Sequence, residues 1–412
     1  MDILLQICLI ILMLALNRGK LNTYTFLIIL QSVSFFSQFL VGYSNEVVEL
    51  HTVFNMLFIC LNLFLIIAPW RFGTLNSTFL KNKKYFFFFK KALYAALLLN
   101  MLVNLVILVI VYMYIPDIAS FKAESAYLNL YESIPYFANV FRYAYVSQNL
   151  GFFAIPIFFY YQGLGEQKKA RWALILSSST LISAFAFYSR ALMLTYILIF
   201  IAYFLLIKKS LSDEVRTKIW SFMKKVTTVI GVLFILITVV RFSAMDYYGD
   251  RIPKTSYIKD PIIYSLVDYT SQSYPNGLKR LEDYNDDKNL GGQDLFRSIY
   301  QFLGFFGAIS WDGNVADEQI SKAYNYDGGA FKGYTAQMVY NFGYIATFLI
   351  SLCYYIIVKF QLRKRNISIE SLFILVLLLI IPLVSIFYSG FGNLYFPLIF
   401  VLLIKLTYRF FS

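Results

Sequence analysis

Residues 171–208 read RWALILSSSTLISAFAFYSRALMLTYILIFIAYFLLIK, an apolar stretch closed at each end by a cation. The 36 residues between Arg171 and Lys208 must leave a basic boundary and return to it. Two helices that each cross ~30 Å of hydrocarbon would use about 40 residues at 1.5 Å per residue. The stretch therefore reads as a hairpin of short membrane helices, with its turn at Ser189-Arg190-Ala191 recessed below the far surface. A charge at such depth is costly, and Arg190 is marked as functional for that reason.

The same pattern runs outward in both directions. The chain is 59% hydrophobic and 14% charged, a balance foreign to soluble domains. Apolar segments at 2–17, 23–42, 50–69, 92–115, 143–162, 172–188, 192–207, 226–242, 336–358, 370–388 and 394–408 predict an all-α polytopic membrane protein of about eleven spans (ten to twelve). Short loops rich in Lys and Arg stay cytoplasmic, and here every second connection is basic. Arg18 and Lys20, the group from Arg71 to Lys91, Lys168 to Arg171, Lys208 to Lys225, and Lys359 to Arg365 mark that side. The N-terminus is thus predicted outside and the C-terminus in the cytoplasm. The net charge of +13 is then a topology signal, not a nucleic-acid footprint. The first segment carries its cations after the apolar run, so it reads as a retained span instead of a cleaved signal. Cys8, Cys60 and Cys353 all lie within spans and imply no disulfide framework.

Three parts follow: 1–242 with spans one to eight, a large outer loop at 243–335, and 336–412 with spans nine to eleven. The loop mixes both signs of charge and is rich in Tyr, whose ring face suits sugar C–H groups and whose hydroxyl donates and accepts. Within it, Leu295 to Trp311 (LFRSIYQFLGFFGAISW) reads as a helix lying along the outer interface. Two further arginines fall near the outer headgroup level. Arg241 lies one short span beyond Lys225, and Arg142 sits among Tyr136, Phe137, Phe141, Tyr143 and Tyr145. Guanidinium groups there suit phosphate oxygens, which they grip bidentately with a charge that does not titrate away.

Other chemistries lack their residues. His51 is the single histidine, no zinc-ligand spacing occurs, and no Walker or dinucleotide pattern appears. Asp and Glu are nearly absent from the apolar segments, which speaks against a proton-coupled transporter.

Three patches carry a family likeness. Phe187-Tyr188-Ser189-Arg190-Ala191-Leu192 opens an apolar span. Lys332-Gly333-Tyr334-Thr335 leads to Tyr340-Asn341-Phe342-Gly343-Tyr344-Ile345. Gly390-Phe391-Gly392-Asn393 precedes Tyr395-Phe396-Pro397. With the topology, they resemble the Wzy-type O-antigen and capsule repeat-unit polymerases, in a superfamily shared with the O-antigen ligases. In the ligases a His-Asn stands eleven residues before a glycine of the next span. Gly343 fits that glycine, and Lys332 stands where the histidine would be, a departure from the ligase branch.

The resemblance implies metal-independent glycosyl transfer, with no cofactor, at the outer face of a bacterial cytoplasmic (inner) membrane. The donor would be an undecaprenyl-pyrophosphate-linked oligosaccharide and the product an O-antigen or capsular polysaccharide. A chain-length regulator and a flippase of the same pathway would be partners. In that reading Arg190 and Arg241 face the diphosphate, and Lys332 and Tyr334 orient the acceptor. Arg142, Arg280 and Arg297 contact phosphate or sugar, and Asp312 or Asp327 offers a base. The alternatives are a ligase-type glycan transferase, a flippase for the same lipid-linked glycan, and a GT-C type lipid-phosphosugar transferase.

Overall fold

The computed structural model describes residues 2–17, 21–42, 50–73, 75, 82–114, 144, 147–187, 189–243, 252–297, 299–300, 303, 307–310, 312–324, 331–364 and 367–411. Its regular structure is helical: α1 (Asp2–Asn17), α2 (Thr23–Val41), α3 (Leu50–Ile67), α4 (Lys83–Tyr114), α5 (Ala154–Gly163), α6 (Gln167–Ser177), α7 (Ser179–Ala186) and α8 (Arg190–Ile207). After these come α9 (Asp213–Ser243), α10 (Pro261–Ser271), α11 (Ser273–Glu282), α12 (Gly313–Tyr324), α13 (Gly333–Leu362), α14 (Ile369–Val384) and α15 (Tyr395–Phe411).

Among the described residues, six helical stretches are long and apolar enough to cross a membrane: Thr23–Val41, Thr52–Phe72, Lys83–Ile110, Arg190–Ser210, Asp213–Leu236 and Gly333–Leu362. Leu5–Asn17, Leu150–Gly163 and Ile369–Val384 are shorter apolar helices. Segment 172–188 contains two helices, α6 and α7, joined at Ser178. Its Ser177-Ser178-Ser179-Thr180 run turns hydroxyls back on the chain: Ser177 Oγ donates to the Leu174 carbonyl at 2.7 Å and Ser178 Oγ to that of Ile175 at 2.6 Å. Such side-chain bonds compete with the helical ladder and end α6 at this point. The expected interfacial helix at Leu295 to Trp311 lies partly outside the described residues.

The chain divides into two compact units, neither contiguous in sequence. The first joins Met1–Phe72, Ile252–Phe360 and Ile380–Tyr395, and the second joins Gly73–Arg251, Gln361–Leu379 and Phe396–Ser412.

In the first unit the described part of the long loop is folded onto membrane helices. Asp260 caps α10 by accepting from Ile262 N and Ile263 N, with Pro261 in the first turn where its missing N–H costs nothing. Ser34 Oγ of α2 donates to the Thr270 carbonyl at 2.6 Å, and Thr52 Oγ1 of α3 donates to Glu282 Oε1 at 2.6 Å. Beneath these bonds Met56 and Ile59 pack with Leu278, Leu281, Ala336 and Val339. Within α13, Ser351 Oγ meets the Tyr334 hydroxyl at 2.9 Å and donates to Asn62 Oδ1 at 2.6 Å. Polar groups at membrane depth are thus satisfied by one another.

Gly343 interrupts α13 with φ 77° and ψ 173°, a conformation open essentially to glycine alone. One turn ahead of the kink, the Tyr340 carbonyl accepts the Leu290 N–H at 2.7 Å. The kink therefore ties the loop to the span. Gly343→Ala is expected to destabilise by about 2 kcal/mol, the cost of an L residue in that region. Gly231→Ala, in a helical stretch of α9 with nothing within 4 Å of an added Cβ, should be neutral or stabilising. Thermal unfolding of the two variants in detergent makes the comparison.

The second unit is cored by aromatics. Phe159 stacks on Tyr203 at 5.7 Å, and Phe89 and Phe153 both meet the Phe373 ring, at 4.4 and 4.8 Å.

Candidate functional site

The polar loop returns to the membrane at Phe331-Lys332-Gly333, and small residues let it come in close. Gly333 has φ +66°, and a Cβ on it would sit 2.9 Å from the Ser273 carbonyl oxygen. A Cβ at Gly277 would sit 3.0 Å from the Lys332 carbonyl oxygen. The Gly333 N–H donates to the Phe387 carbonyl at 3.1 Å, and Asn276 Nδ2 donates to that of Phe331 at 3.3 Å. These contacts fix the Lys332 backbone at the start of α13.

Its side chain enters a largely buried charged cluster within the first unit. Lys332 Nζ lies 3.4 Å from Asp294 Oδ2 and 3.2 Å above the centre of the Tyr324 ring. The same Asp294 oxygen accepts from the Tyr324 hydroxyl at 2.7 Å and from Gln337 Nε2 at 3.0 Å. The other end of the Gln337 amide accepts the Ser389 N–H at 2.8 Å, which fixes its orientation. Arg280 completes the group. Its Nη1 donates to the Tyr324 carbonyl at 2.7 Å, with the guanidinium carbon 5.2 Å from that ring's centre. Tyr340 stacks on Tyr324 at 4.7 Å and donates to the Arg280 carbonyl at 2.9 Å.

Burial sets the protonation states. Desolvation alone would raise the Asp294 carboxyl, but the Lys332 charge and the bonds from Gln337 and Tyr324 outweigh it and hold it below its usual range. Burial pushes Lys332 down to about 8, with Arg280 adding to the fall and Asp294 opposing it. The Tyr324 phenol is raised well above its ordinary value by burial and by Asp294, so it stays a donor. The cluster therefore brings together an ionised carboxyl, a guanidinium and an amine that burial brings down to about 8. Such an amine is suited to taking a proton from a hydroxyl.

Beside Lys332 the first unit also has a partly open pocket of about 50 Å³, lined in part by Gln31, Gln38, Ser273 and Thr335. The Thr335 hydroxyl is buried there without a partner among the described residues, and a site of this size and polarity admits a water.

The predicted site residues separate into groups. Lys332 and Arg280 belong to the cluster. Tyr334 is buried but turns its hydroxyl to Ser351. Arg297 is half-buried in the helical stretch that follows the turn holding Asp294, and Asp312 is exposed, its carbonyl accepting the Ala316 N–H at the start of α12. Arg190 belongs to the second unit. It is 7% exposed at the first position of α8, where Ser189 Oγ accepts the Leu192 N–H at 3.3 Å, and its guanidinium carbon lies 6.0 Å from the centre of the Phe234 ring. The side chains of Arg241 and His51 lie outside the described residues, as do Arg142 and Asp327 altogether.

Asp294, Tyr324 and Gln337 were not singled out from the sequence. The Gly291-Gly292 pair, both with positive φ, is the local signal that the chain reverses just before Asp294. Compared with protein-family models, curated proteins and solved structures, the chain matches none.

Proposed function

We propose that this membrane protein polymerises lipid-linked oligosaccharide repeats into a surface polysaccharide of the O-antigen or capsule kind. The observation that carries the proposal is the largely buried Lys332–Asp294–Tyr324–Arg280 cluster, built where the polar loop, with its helix α11, meets α13. In the proposed reaction an acceptor sugar hydroxyl attacks the anomeric carbon of a glycan held on undecaprenyl pyrophosphate. The bond from that carbon to the diphosphate oxygen breaks, and the diphosphate departs with the electron pair. Lys332, as the neutral amine, takes the proton of the acceptor hydroxyl. Asp294 orients the amine and balances the ammonium that forms, while burial, with the Arg280 charge adding to it, favours the neutral amine. Arg190 and Arg241 are assigned to the diphosphate, whose developing charge a guanidinium stabilises. The proposed setting is the outer face of a bacterial inner membrane.

A deletion strain complemented with wild-type, Arg190→Ala or Arg190→Lys chains tests this on a gel of surface polysaccharide. The deletion should leave single repeats on the carrier, and the wild type should restore the ladder. Both variants should fail at equal protein levels, because an ammonium does not reproduce the bidentate fork. A full ladder in the deletion strain sinks the proposal, and loss of all surface glycan points instead to a flippase or a ligase.

A further inference from the structure

The second unit contains a groove of about 180 Å³ lined by Leu174 and Leu181, by Tyr196 and Phe200 of α8, and by Met223 and Val226 of α9. It is larger than the ~150 Å³ apolar cavities that stay dry and admit benzene. Of the three hydroxyl-bearing residues in its wall, Ser178, Tyr196 and Thr227, two are already engaged, Tyr196 with Ser177 Oγ at 2.6 Å and Ser178 with the Ile175 carbonyl. The walls therefore ask for hydrocarbon. Farther along α9, Val229, Val232, Ile235 and Leu236 are all exposed, so this helix continues from the groove as a lipid-facing surface.

One rim is different in kind. Arg171 stands one turn before Leu174 on the same face of α6, and on α9 Trp220 stands one turn before Met223 and Lys224 one turn before Thr227, both of which line the groove. Trp220 is 42% exposed, stacks on Phe204 at 5.9 Å and lies 5.7 Å from Lys224 Nζ, while Trp172 is 61% exposed. Exposed tryptophans at a helix end mark the headgroup level of a bilayer. The acids nearby are taken: Glu166 pairs with Lys169, Asp213 with Arg216 and Glu214 with Lys218. Among the described residues Arg171, Lys224 and Lys225 make no ion pair.

We infer that this groove and rim form a binding site for one anionic phospholipid of the surrounding bilayer. An acyl chain fills the space between α6, α8 and α9, and the phosphate lies against Arg171 and Lys224. The charge of the rim selects an anionic headgroup over a zwitterionic one, and the apolar walls select a lipid over a soluble anion. The site is independent of the proposed glycan chemistry.

Native mass spectrometry of the purified full-length protein, with phosphatidylglycerol and phosphatidylcholine of identical chains added at low ionic strength, provides the test. Phosphatidylglycerol should be retained preferentially. Neutralising the rim in Arg171→Gln/Lys224→Gln, both exposed positions, should weaken that retention about fivefold per cation. Filling the groove with Thr227→Phe should reduce retention of both lipids. Equal retention of the two lipids by the wild type, or unchanged phosphatidylglycerol retention in the rim double variant, overturns the inference.

Discussion

An Asp294→Asn chain is expected to lose its activity and about 3 kcal/mol of stability, the lower end of what breaking a buried ion pair costs. The substitution keeps the shape of the side chain and removes the charge that Lys332, with 14% of its side chain exposed, relies on. It also weakens the acceptor for the Tyr324 hydroxyl and the Gln337 amide, two donors with nowhere else to turn in a site this buried. Thermal unfolding in detergent reads the stability, and polymer length reads the activity. A double variant, Asp294→Leu with Lys332→Met, separates the two quantities. Replacing both charges by apolar groups should recover part of the lost stability while activity stays absent. An Asp294→Asn chain that unfolds with the wild type and still makes full-length polymer would deny the cluster any role.

The cluster shows where the sequence is informative and where it is silent. Lys332 was found through its distance from Gly343 and its place at the return of the loop. Asp294 is one acid in a loop rich in them. It reaches Lys332 across 38 residues of chain, and Gln337 across 43, so no local pattern announces the meeting. Asp312 was a more conspicuous carboxylate, beside Trp311, but it is exposed at the start of α12. The membrane helices were legible because a bilayer demands long apolar runs with internally satisfied backbones. Window-averaged hydropathy, however, conceals short breaks such as Ser177 to Thr180. The loop's own helices were also within reach, since Asp260-Pro261 is a strong helix start, yet the polar composition drew attention away from it. Leu278 and Leu281 of α11, one helical turn apart, pack with Met56 and Ile59.

Lys332 should impose a pH dependence that identifies its role. With its pKa near 8, the neutral amine is scarce at pH 6 and dominant above pH 9. If it takes the acceptor proton, kcat/KM rises about tenfold per pH unit on the acid side and levels off above about 8. Asp294 stays ionised across this range, so no second limb arises from it. Lys332→Arg keeps the positive charge but never deprotonates, and Lys332→Met has no proton to exchange. Both should lower activity by about 10²- to 10⁴-fold and flatten the profile. Stability should respond in a different pH window from activity. An unfolded lysine titrates near ~10.4, so between about 8 and that value the unfolded chain binds the extra proton and the folded state gains as pH rises. On the acid side, the stability Asp294 contributes is present above about 3.9 and disappears as pH falls through its depressed folded value. Were Lys332 needed only as a cation, the pattern would invert: activity would fall above pH 8 and Lys332→Arg would retain it.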